Sequence, residues 1–393
     1  MSKTIVIKQP EGDRAPFLRG ILVQSLVRKG LSFEDAYALA QEVRDQLRDT
    51  KEISSKLLRV RVAEALENRF GMKLRQAYEA KPQKSKEVIV NTSTRSAPFS
   101  VGILTHCLES CAIAPELALE GARHVHDALN ATGHKEISHR ALRRIIYECL
   151  KLHVDEKKAN RYLSWRQFQN SGKPLILLVG GISGAGKSTV TAEVAYRMDI
   201  VRTQSTDIMR EIIRCYLAPH VVPTLGYSSF EAWRGMPTIK RSGRREVDNP
   251  VISGFLSQFG KVKVALEATI NRALDEGQPL IVDGVLVLPW ELELEELSKR
   301  AIVVPVMLAV MRKKLLAKQL KARGREQSAR KASRYLEHLD DIWELQSYLL
   351  SQADQAGIPI IPNWSMETTV REVLELISQK IMSRYPPDPH ALV

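Results

Sequence analysis

In the second half of the chain, short apolar runs alternate with longer stretches in which apolar and polar residues recur at helical spacing. The apolar runs are LILLVG from residue 175, a short piece at 200–205, PLIVDGVLVLP from 279, AIVVPVMLAV from 301 and IPIIPN from 358. Continuous runs of aliphatic residues suit strands that are buried on both faces of a parallel sheet. Residues 169–393 are therefore predicted to form an α/β domain in which helices flank a parallel sheet.

The first half of the chain contains an internal repeat. APFLRGILVQSL at 15–26 recurs as APFSVGILTHCL at 97–108, and the tripeptide EIS at 52–54 recurs at 136–138. The two EIS tripeptides are slightly farther apart than the two APF segments, which indicates a short insertion near residues 132–133. Two copies of one unit, at 1–82 and 83–168, are therefore predicted.

Within each copy, a short strand-like piece and a turn precede segments with a helical pattern. The helical pattern of the first copy rests on Ile21, Leu22, Ser25 and Leu26, and then on Ala36, Leu39, Ala40, Val43 and Leu47. Ser32 and Asp35 have the spacing of a helix cap. At the opening turn, the alignment pairs Lys8, Gly12 and Arg14 of copy one with Val90, Thr94 and Ser96 of copy two. Copy one is thus the more basic there, and both copies are predicted to be mainly α-helical.

The segment GISGAGKS at 181–188 follows the first apolar run of the second half and matches G-x-x-x-x-G-K-[ST], the pattern of a phosphate-cradling loop. Glycines let the backbone turn tightly and present bare N–H groups, and the following helix adds its positive N-terminal dipole. Lys187 would reach the β- and γ-phosphates, and the Ser188 hydroxyl suits Mg²⁺. The predicted nucleotide-binding residues are Gly181, Ser183, Gly184, Ala185, Gly186, Lys187, Ser188 and Thr189.

Polar residues follow three of the other predicted strands. Asp207, Asp283 and Asn363 lie at their carboxyl ends, where open parallel sheets bind ligands. Asp283 is predicted to be the second Mg²⁺ contact. Asp207 would either accept the proton of an attacking hydroxyl or hold Mg²⁺ through water. The alternative for Asp207 is a plain helix N-cap.

Arginines are placed where a phosphorylated substrate would need them. Arg210, one helical turn after Asp207, would grip an anionic substrate with its planar guanidinium, and Arg214 lies on the same helix. After the fourth predicted strand, LKARGREQSARKASRY predicts a mobile lid, hinged at its glycine, whose Arg323 and Arg330 close over the transferring phosphoryl group. A solvated helix face is the alternative for Arg210 and for the basic residues 313–321.

The composition narrows the class of protein. With 393 residues, of which 44% are hydrophobic and 26% charged, the chain is typical of a soluble globular protein with two or three domains. A net charge of +13 is compatible with a nucleic-acid partner, but an aromatic content of 6% favours small anionic ligands instead. Neither a membrane span nor a signal peptide is predicted. The four cysteines fit free thiols in a reducing cytoplasm.

Several motifs, taken in order, resemble the 2-phosphoglycerate kinase family within residues 172–380. They are TDIMREIIRCYL, VVPTLGYSSFEAW, LIVDGVLVLP and YLEHLDDIWELQSYLLSQADQAGIPIIPN. The resemblance implies a P-loop kinase fold, ATP and Mg²⁺ as cofactors, and conversion of 2-phosphoglycerate to 2,3-bisphosphoglycerate, with Ser228 and Ser229 on the substrate side. The chain departs from the family at Gly226, where PTLH is usual, and at Asp283 and Leu286, where Glu-Gly-Val-His is usual. These departures leave open another polyol or inositol phosphate as acceptor, and a non-catalytic ATP-sensing regulator is the third interpretation.

The repeated unit resembles the ATP-cone, a regulatory nucleotide-binding module. The resemblance implies that copy one holds ATP through Lys8 and Arg14, because it keeps the cations of its opening turn. The alternative is that both copies are helical packing units without a ligand. The repeats also offer surfaces for oligomer formation.

Overall fold

The computed structural model describes the chain in two compact units, Met1–Glu87 and Val88–Val393. The description omits residues 1–4, 8–13, 18, 28, 30, 48–49, 51, 80–87, 92–95, 134, 218–219, 238–248, 328 and 390–393, and the side chains at 5–7, 14–16, 24, 33, 73, 77, 323–327 and 329–332. The first copy of the repeat is in the first unit, whereas the second copy shares a unit with the α/β part. The division into three domains at residues 82 and 168 stays a prediction.

The first unit is a small sheet with helices. Its strands are β1 (Ile5–Ile7), β2 (Arg14–Pro16) and β3 (Glu52–Ser54), and its helices are α1 (Arg19–Val27), α2 (Phe33–Gln46), α3 (Ser55–Phe70) and α4 (Met72–Glu79). β1 pairs with β2 antiparallel and with β3 parallel. The predicted cap is confirmed, because Ser32 Oγ accepts a hydrogen bond from the Asp35 N–H at 3.1 Å. Leu26, Leu39 and Val43 are fully buried and form the centre of the core.

The same order of elements recurs in the second copy. Its strands are β4 (Ile89–Asn91), β5 (Ser96–Pro98) and β6 (Glu136–Ser138), and its helices are α5 (Val101–Ser110), α6 (Pro115–Thr132), α7 (His139–His153) and α8 (Glu156–Asn170). Ala15 pairs with Val6 in the first copy, and its equivalent Ala97 pairs with Val90 in the second. The predicted pairing of Lys8 with Val90 is therefore wrong, because the second hairpin connection, 92–95, is two residues shorter than 8–13.

The α/β part contains the longer strands. Its strands are β7 (Leu175–Gly180), β8 (Thr203–Ser205), β9 (Leu280–Gly284), β10 (Ile302–Ala309) and β11 (Ile360–Pro362). Its helices are α9 (Lys187–Arg197), α10 (Thr206–Tyr216), α11 (Pro250–Asp275), α12 (Leu294–Arg300), α13 (Lys313–Gln327), α14 (Ala329–Glu337), α15 (Leu339–Gln355) and α16 (Met366–Arg384). Short 3₁₀ helices lie at Pro223–Gly226, Ala232–Gly235 and Pro289–Glu291.

All pairings in this sheet are parallel, in the order β11–β10–β7–β9–β8. The predicted parallel sheet flanked by helices is thereby confirmed. β7 lies between β10 and β9, and all of its residues are buried, which explains its continuous aliphatic sequence. β8 begins only at Thr203, so residues 200–201 precede the strand that was predicted to include them.

The second copy of the repeat is attached to the α/β part. The Ser110 hydroxyl at the end of α5 donates to the Arg197 carbonyl at the end of α9, at 2.7 Å. α8 packs on α16, where the rings of Phe168 and Tyr385 lie 6.1 Å apart. In the part of the chain that the structure describes, no helix is long and apolar enough to cross a membrane.

Candidate active site

The phosphate loop connects β7 to α9 through glycines in unusual backbone conformations. Gly181, Gly184 and Gly186 have φ angles of +137°, +85° and +79°. A Cβ on Gly181 would also come within 2.5 Å of the Leu308 carbonyl oxygen. Glycine is therefore required at Gly181 for both conformation and space.

Asn363 braces this loop from the end of β11. Its side-chain amide donates to the Ala185 carbonyl at 2.8 Å, and its side-chain oxygen accepts from the Thr369 hydroxyl at 2.9 Å. Its backbone N–H donates to the carbonyl of Ala309, the last residue of β10, at 2.8 Å. The polar end of the fifth strand thus supports the loop, a role that its position in the sequence alone did not indicate.

Lys187 lies folded over the loop at the start of α9. Its ammonium donates to the Ile182 carbonyl at 2.9 Å, and the residue is only 8% exposed. A buried cation held across a turn of glycines is positioned to meet negative charge that enters the loop.

The Ser188 hydroxyl donates to the Asp283 carboxylate at 2.9 Å. Asp283 lies in β9, opposite Val179 of β7 and Ser205 of β8, and is buried at the carboxyl ends of these strands. Burial raises the pKa of Asp283, while the Ser188 hydrogen bond and the charge of Lys187 oppose the rise. Ionised Asp283 therefore lacks full compensation for its lost hydration.

These two side chains fit a magnesium ion. A hydroxyl oxygen and a carboxylate oxygen already meet at the loop, and Mg²⁺ prefers oxygen ligands. The described residues contain no cluster of three or more His, Cys, Asp or Glu side chains that could hold a metal. A site with one or two protein ligands, completed by phosphates and water, is the arrangement in which proteins usually hold Mg²⁺ next to a nucleotide.

Asp207 lies in the first turn of α10, and β8 ends two residues before it. The N-cap of α10 is Ser205, whose hydroxyl accepts from the Asp207 N–H at 3.2 Å, so the capping role belongs to the serine. The Asp207 side chain is partly exposed, and its charge contributes to the raised pKa of Asp283. Thr206, which lies between Ser205 and Asp207, is fully buried, and its hydroxyl has no hydrogen-bond partner among the described residues.

The two arginines of α10 have different surroundings. Arg210 is mostly buried, with a side-chain exposure of 15%, donates to the Tyr227 carbonyl at 3.3 Å and forms an ion pair with Glu211 at 3.1 Å. Its Nε is buried without a hydrogen-bond partner among the described residues. Arg214 is exposed and forms an ion pair with Glu211 at 2.7 Å. The structure thus brings Arg210, but not Arg214, to the segment that contains the predicted substrate serines.

Gln258 of α11 fastens that segment. Its amide donates to the carbonyls of Thr224 and Tyr227 at 2.8 and 3.0 Å, and its oxygen accepts from the Ser229 hydroxyl at 3.0 Å. Ser229 is buried in this contact, and Ser228 is partly exposed beside it. Gln258 was not predicted as a site residue, although a glutamine within the apolar pattern of a long helix is a usable signal.

Glu231 connects the same segment to α14. It is 2% exposed and accepts hydrogen bonds from Arg334, with Nε at 2.8 Å, while His338 Nε2 lies at 3.1 Å. The side chains of the predicted lid residues Arg323 and Arg330 lie outside the described residues. α13 continues through Gly324 to Gln327, so the predicted glycine hinge lies inside a helix. Lys8 and the Arg14 side chain are also outside the described residues.

No protein-family model matches the chain. The chain is similar to the 2-phosphoglycerate kinase of Methanopyrus kandleri, with 34% identity over 304 residues, which is 77% of this chain and 90% of that protein. The 2-phosphoglycerate kinases of Pyrococcus horikoshii and Pyrococcus furiosus are each 35% identical, over 72% of this chain and 91% and 90% of their own lengths. A solved gluconokinase from Sinorhizobium meliloti 1021 aligns with 55% of this chain at 15% identity, with a TM-score of 0.33, which is too low to establish a shared fold.

Proposed function

This chain belongs to the 2-phosphoglycerate kinase family, and we propose that it transfers the γ-phosphoryl group of ATP to the 3-hydroxyl of 2-phosphoglycerate. A bond forms between the hydroxyl oxygen and the γ-phosphorus, and the bond from that phosphorus to the β–γ bridging oxygen breaks. The hydroxyl proton leaves to a base, and the products are ADP and 2,3-bisphosphoglycerate. Relatives with this name align with about three quarters of the chain, which supports the choice of reaction.

The observation that carries the proposal is the contact of Ser188 with Asp283 beside Lys187. The loop N–H groups and Lys187 would bind the β- and γ-phosphates of ATP. Ser188 and Asp283 would hold Mg²⁺. When bound, the ion neutralises charge that develops on the phosphate oxygens. The Ser188–Asp283 hydrogen bond keeps both ligands together before the ion arrives.

At the acceptor end, Asp207 would accept the proton of the attacking hydroxyl. Its partial exposure and its closeness to Asp283 support this role. Holding Mg²⁺ through a water molecule is the second role that the same placement permits. Arg210, mostly buried and with an unpartnered Nε, is suited to bind the carboxylate or the phosphate of the substrate.

Arg323 and Arg330 would complete the site from α13 and α14. The anchoring of α14 by Glu231 through Arg334 supports this role, because it ties the lid to the segment beside Arg210. Closure would exclude water from the phosphoryl group during transfer. The free thiols of all four cysteines support a reducing, cytoplasmic location for the enzyme.

The test is a phosphorus NMR assay of the purified protein with Mg-ATP and 2-phosphoglycerate, in which 2,3-bisphosphoglycerate is the expected product. Parallel reactions contain 3-phosphoglycerate, glycerol phosphate or an inositol phosphate, and the Lys187→Met variant provides the inactive control. Transfer to a polyol or inositol phosphate and not to 2-phosphoglycerate would show that the acceptor belongs to that alternative class. ATP binding by calorimetry without transfer to any acceptor would favour the ATP-sensing regulator.

A further inference from the structure

The second copy of the repeat contains a cavity of about 320 Å³ that lies outside the proposed active site. We call it the second-repeat cavity. Its walls are mainly apolar and come from three elements: Val90 and Pro98 of the hairpin, Ile103 and Leu104 of α5, and Leu142 and Ile146 of α7. Apolar walls with a few polar groups are typical of small-molecule sites, and the volume lies near the lower end of their usual range of about 300–1,000 Å³.

Among the described residues that line the second-repeat cavity, Arg166 is the cation, and Arg143 of α7 lies near it without lining the cavity. Arg166 of α8 and His139 of α7 line the cavity. The pKa of His139 is lowered mainly by burial, and the charges of the nearby Arg143 and Arg166 lower it further. Burial and the charge of Arg166 also lower the pKa of Arg143. Two guanidinium groups therefore repel each other in a partly buried position.

In the part of the chain that the structure describes, no carboxylate pairs with either guanidinium group. Among the described residues, neither Arg143 nor Arg166 forms an ion pair, and the Nε of each is buried without a hydrogen-bond partner. Arg166 instead donates to the amide oxygen of Gln169 at 2.6 Å. The polar neighbours that favour the charged form of Arg143 are the hydroxyl of Tyr162 and the thiol of Cys107, both of which line the cavity.

The cavity also faces the starts of two helices. Ser100, the N-cap of α5, and His139, the first residue of α7, both line it. Helix N-termini carry partial positive charge, which adds to that of the arginines. An apolar body and a negative group would thus both find complementary surroundings here.

We propose that the second-repeat cavity binds a small amphipathic anion, with its aliphatic or aromatic body against Ile103 and Leu142 and its carboxylate or phosphate on Arg166 and Arg143. This site is separate from the phosphate loop, and it does not depend on the proposed kinase reaction. The anion supplies a carboxylate or phosphate counter-charge that the described residues do not give the two guanidinium groups, and guanidinium binds carboxylate and phosphate through paired hydrogen bonds.

The test is a fluorescence titration of the full chain with anilinonaphthalene sulfonate, an aromatic anion whose emission rises in apolar sites. We expect one binding site, weakened by about tenfold or more in Arg166→Met and Arg143→Met, since each loses a charge-assisted contact. Arg144→Met, an exposed arginine on the same helix, is the matched control and should bind within about twofold of the unchanged protein. Equal affinity in all three variants would overturn the proposal. Displacement by octanoate or by phenyl phosphate then identifies which anionic group the site prefers.

Cys107 provides an independent readout, because it lines the cavity. A hydrogen bond from Cys111, together with the charges of Arg166 and Arg143, lowers the pKa of Cys107, which favours its alkylation by iodoacetamide. Peptide mapping should show that the bound anion slows alkylation of Cys107 but not of Cys215, which is exposed and does not line the cavity. An unchanged rate at Cys107 with saturating probe would overturn the proposal.

A further variant tests the location of the site without removing an arginine, in case the arginine variants do not fold. Ile103 is 74% exposed at the cavity mouth, so Ile103→Trp can fill the mouth without removing a cation. Melting curves establish that each variant is folded. We expect Ile103→Trp to lose probe binding, and retention of the original affinity would contradict the proposed location.

Discussion

The nucleotide end and the acceptor end of the proposed active site are held in different ways. At the nucleotide end, the backbone of Gly181 lies so close to the Leu308 carbonyl that no side chain fits, and Asn363 bonds directly to the loop backbone. At the acceptor end, the backbone of Gly254 in α11 is also packed closely, since a Cβ there would clash with the Trp233 backbone nitrogen, but side chains add the links from this 3₁₀ segment to α11 and α14. Gln258 bonds to it from α11, and Glu231 bonds from it to α14.

We therefore expect the backbone of the phosphate loop to stay fixed and the side-chain hydrogen bonds of the acceptor end to exchange partners when a ligand binds. A backbone held by steric contact cannot rearrange without disturbing the sheet, because interiors are close-packed. Hydrogen bonds between side chains can exchange for bonds to a ligand at small net cost. Thr206 and Arg210 already have buried polar atoms without partners among the described residues. We therefore expect substitutions at the two ends to affect different measurements.

The largest effect is expected for Lys187→Met. Removing the loop ammonium should lower kcat by about 10²–10³-fold or more, as for other groups that stabilise developing charge. Phosphoryl transfer is measured with saturating Mg-ATP, beside circular dichroism to establish the fold. Lys380→Met, at an exposed lysine of α16, is the control and should keep full activity. Activity within tenfold of the unchanged protein would remove Lys187 from the mechanism.

Gly181→Ala should be the most damaging substitution to stability at the nucleotide end. The added methyl would meet the Leu308 carbonyl oxygen at 2.5 Å, at a φ of +137° that other residues rarely adopt. A strained residue of this kind costs about 1–3 kcal/mol before the contact is counted. Chemical denaturation measures the loss in free energy of unfolding.

Gly226→Ala is the matched change at the acceptor end. A Cβ there meets no heavy atom within 4 Å, and the φ of Gly226 is not positive. The free energy of unfolding should therefore stay within about 0.5 kcal/mol of the original value. Equal losses of unfolding free energy in the two alanine variants would contradict the expected difference between the two ends.

Glu231→Gln should act on the acceptor end alone. The neutral amide would bond Arg334 and His338 more weakly, so α14 should loosen and the KM for the acceptor should rise by about tenfold, in line with a lost charge-assisted bond of about 1.5–3 kcal/mol. The KM for ATP should stay within about twofold, because the loop is braced separately. Glu337→Gln, at an exposed residue of α14, is the control. A parallel rise of both KM values would show that the ends are coupled.

The smallest effect concerns the stability of Asp283→Asn as pH changes. The pKa of Asp283 is raised by burial, so its neutral form is favoured in the folded protein. The stability this contributes is complete below the ordinary carboxyl pKa, about 3.9, and is lost as pH rises through the higher folded value. In metal-free protein, Asp283→Asn should thus melt at a higher temperature than the original at neutral pH, with the gap closing in acid. A lower melting temperature at neutral pH would contradict the assigned cause.

Much of the nucleotide end could be predicted from sequence, because its strand, its glycine conformations and the start of its helix are each set by residues that are close together in the chain. LILLVG became β7, the glycines adopted the conformations that few other residues accept, and α9 begins at Lys187. The carboxyl ends of β9 and β11 brought Asp283 and Asn363 to the loop, as the rule for parallel sheets predicts. The meeting of Ser188 with Asp283 follows from the same rule.

The acceptor end could be predicted only in outline. Arg210 contacts the segment that contains the predicted substrate serines, and its substrate role stays a prediction, whereas Gln258, Glu231 and Arg334 were not predicted at all. Each is an ordinary polar residue in its own helix or turn, and its partner lies far away in the chain. The position of Asp207 inside α10 was not predicted either, because Ser205, and not Asp207, is the N-cap of this helix.

Sequence by itself determined the parallel α/β class, the phosphate loop, the family and the repeat, because apolar periodicity, glycine conformation and motif order act over a few residues. Tertiary structure decided that Asn363 supports the loop, that Arg210 faces inward while Arg214 is solvated, and that the second copy has a cavity lined by Arg166. It also decided the register of the second hairpin. These outcomes depend on which distant surfaces meet, and burial and hydrogen-bond satisfaction select among them only when the whole chain has packed.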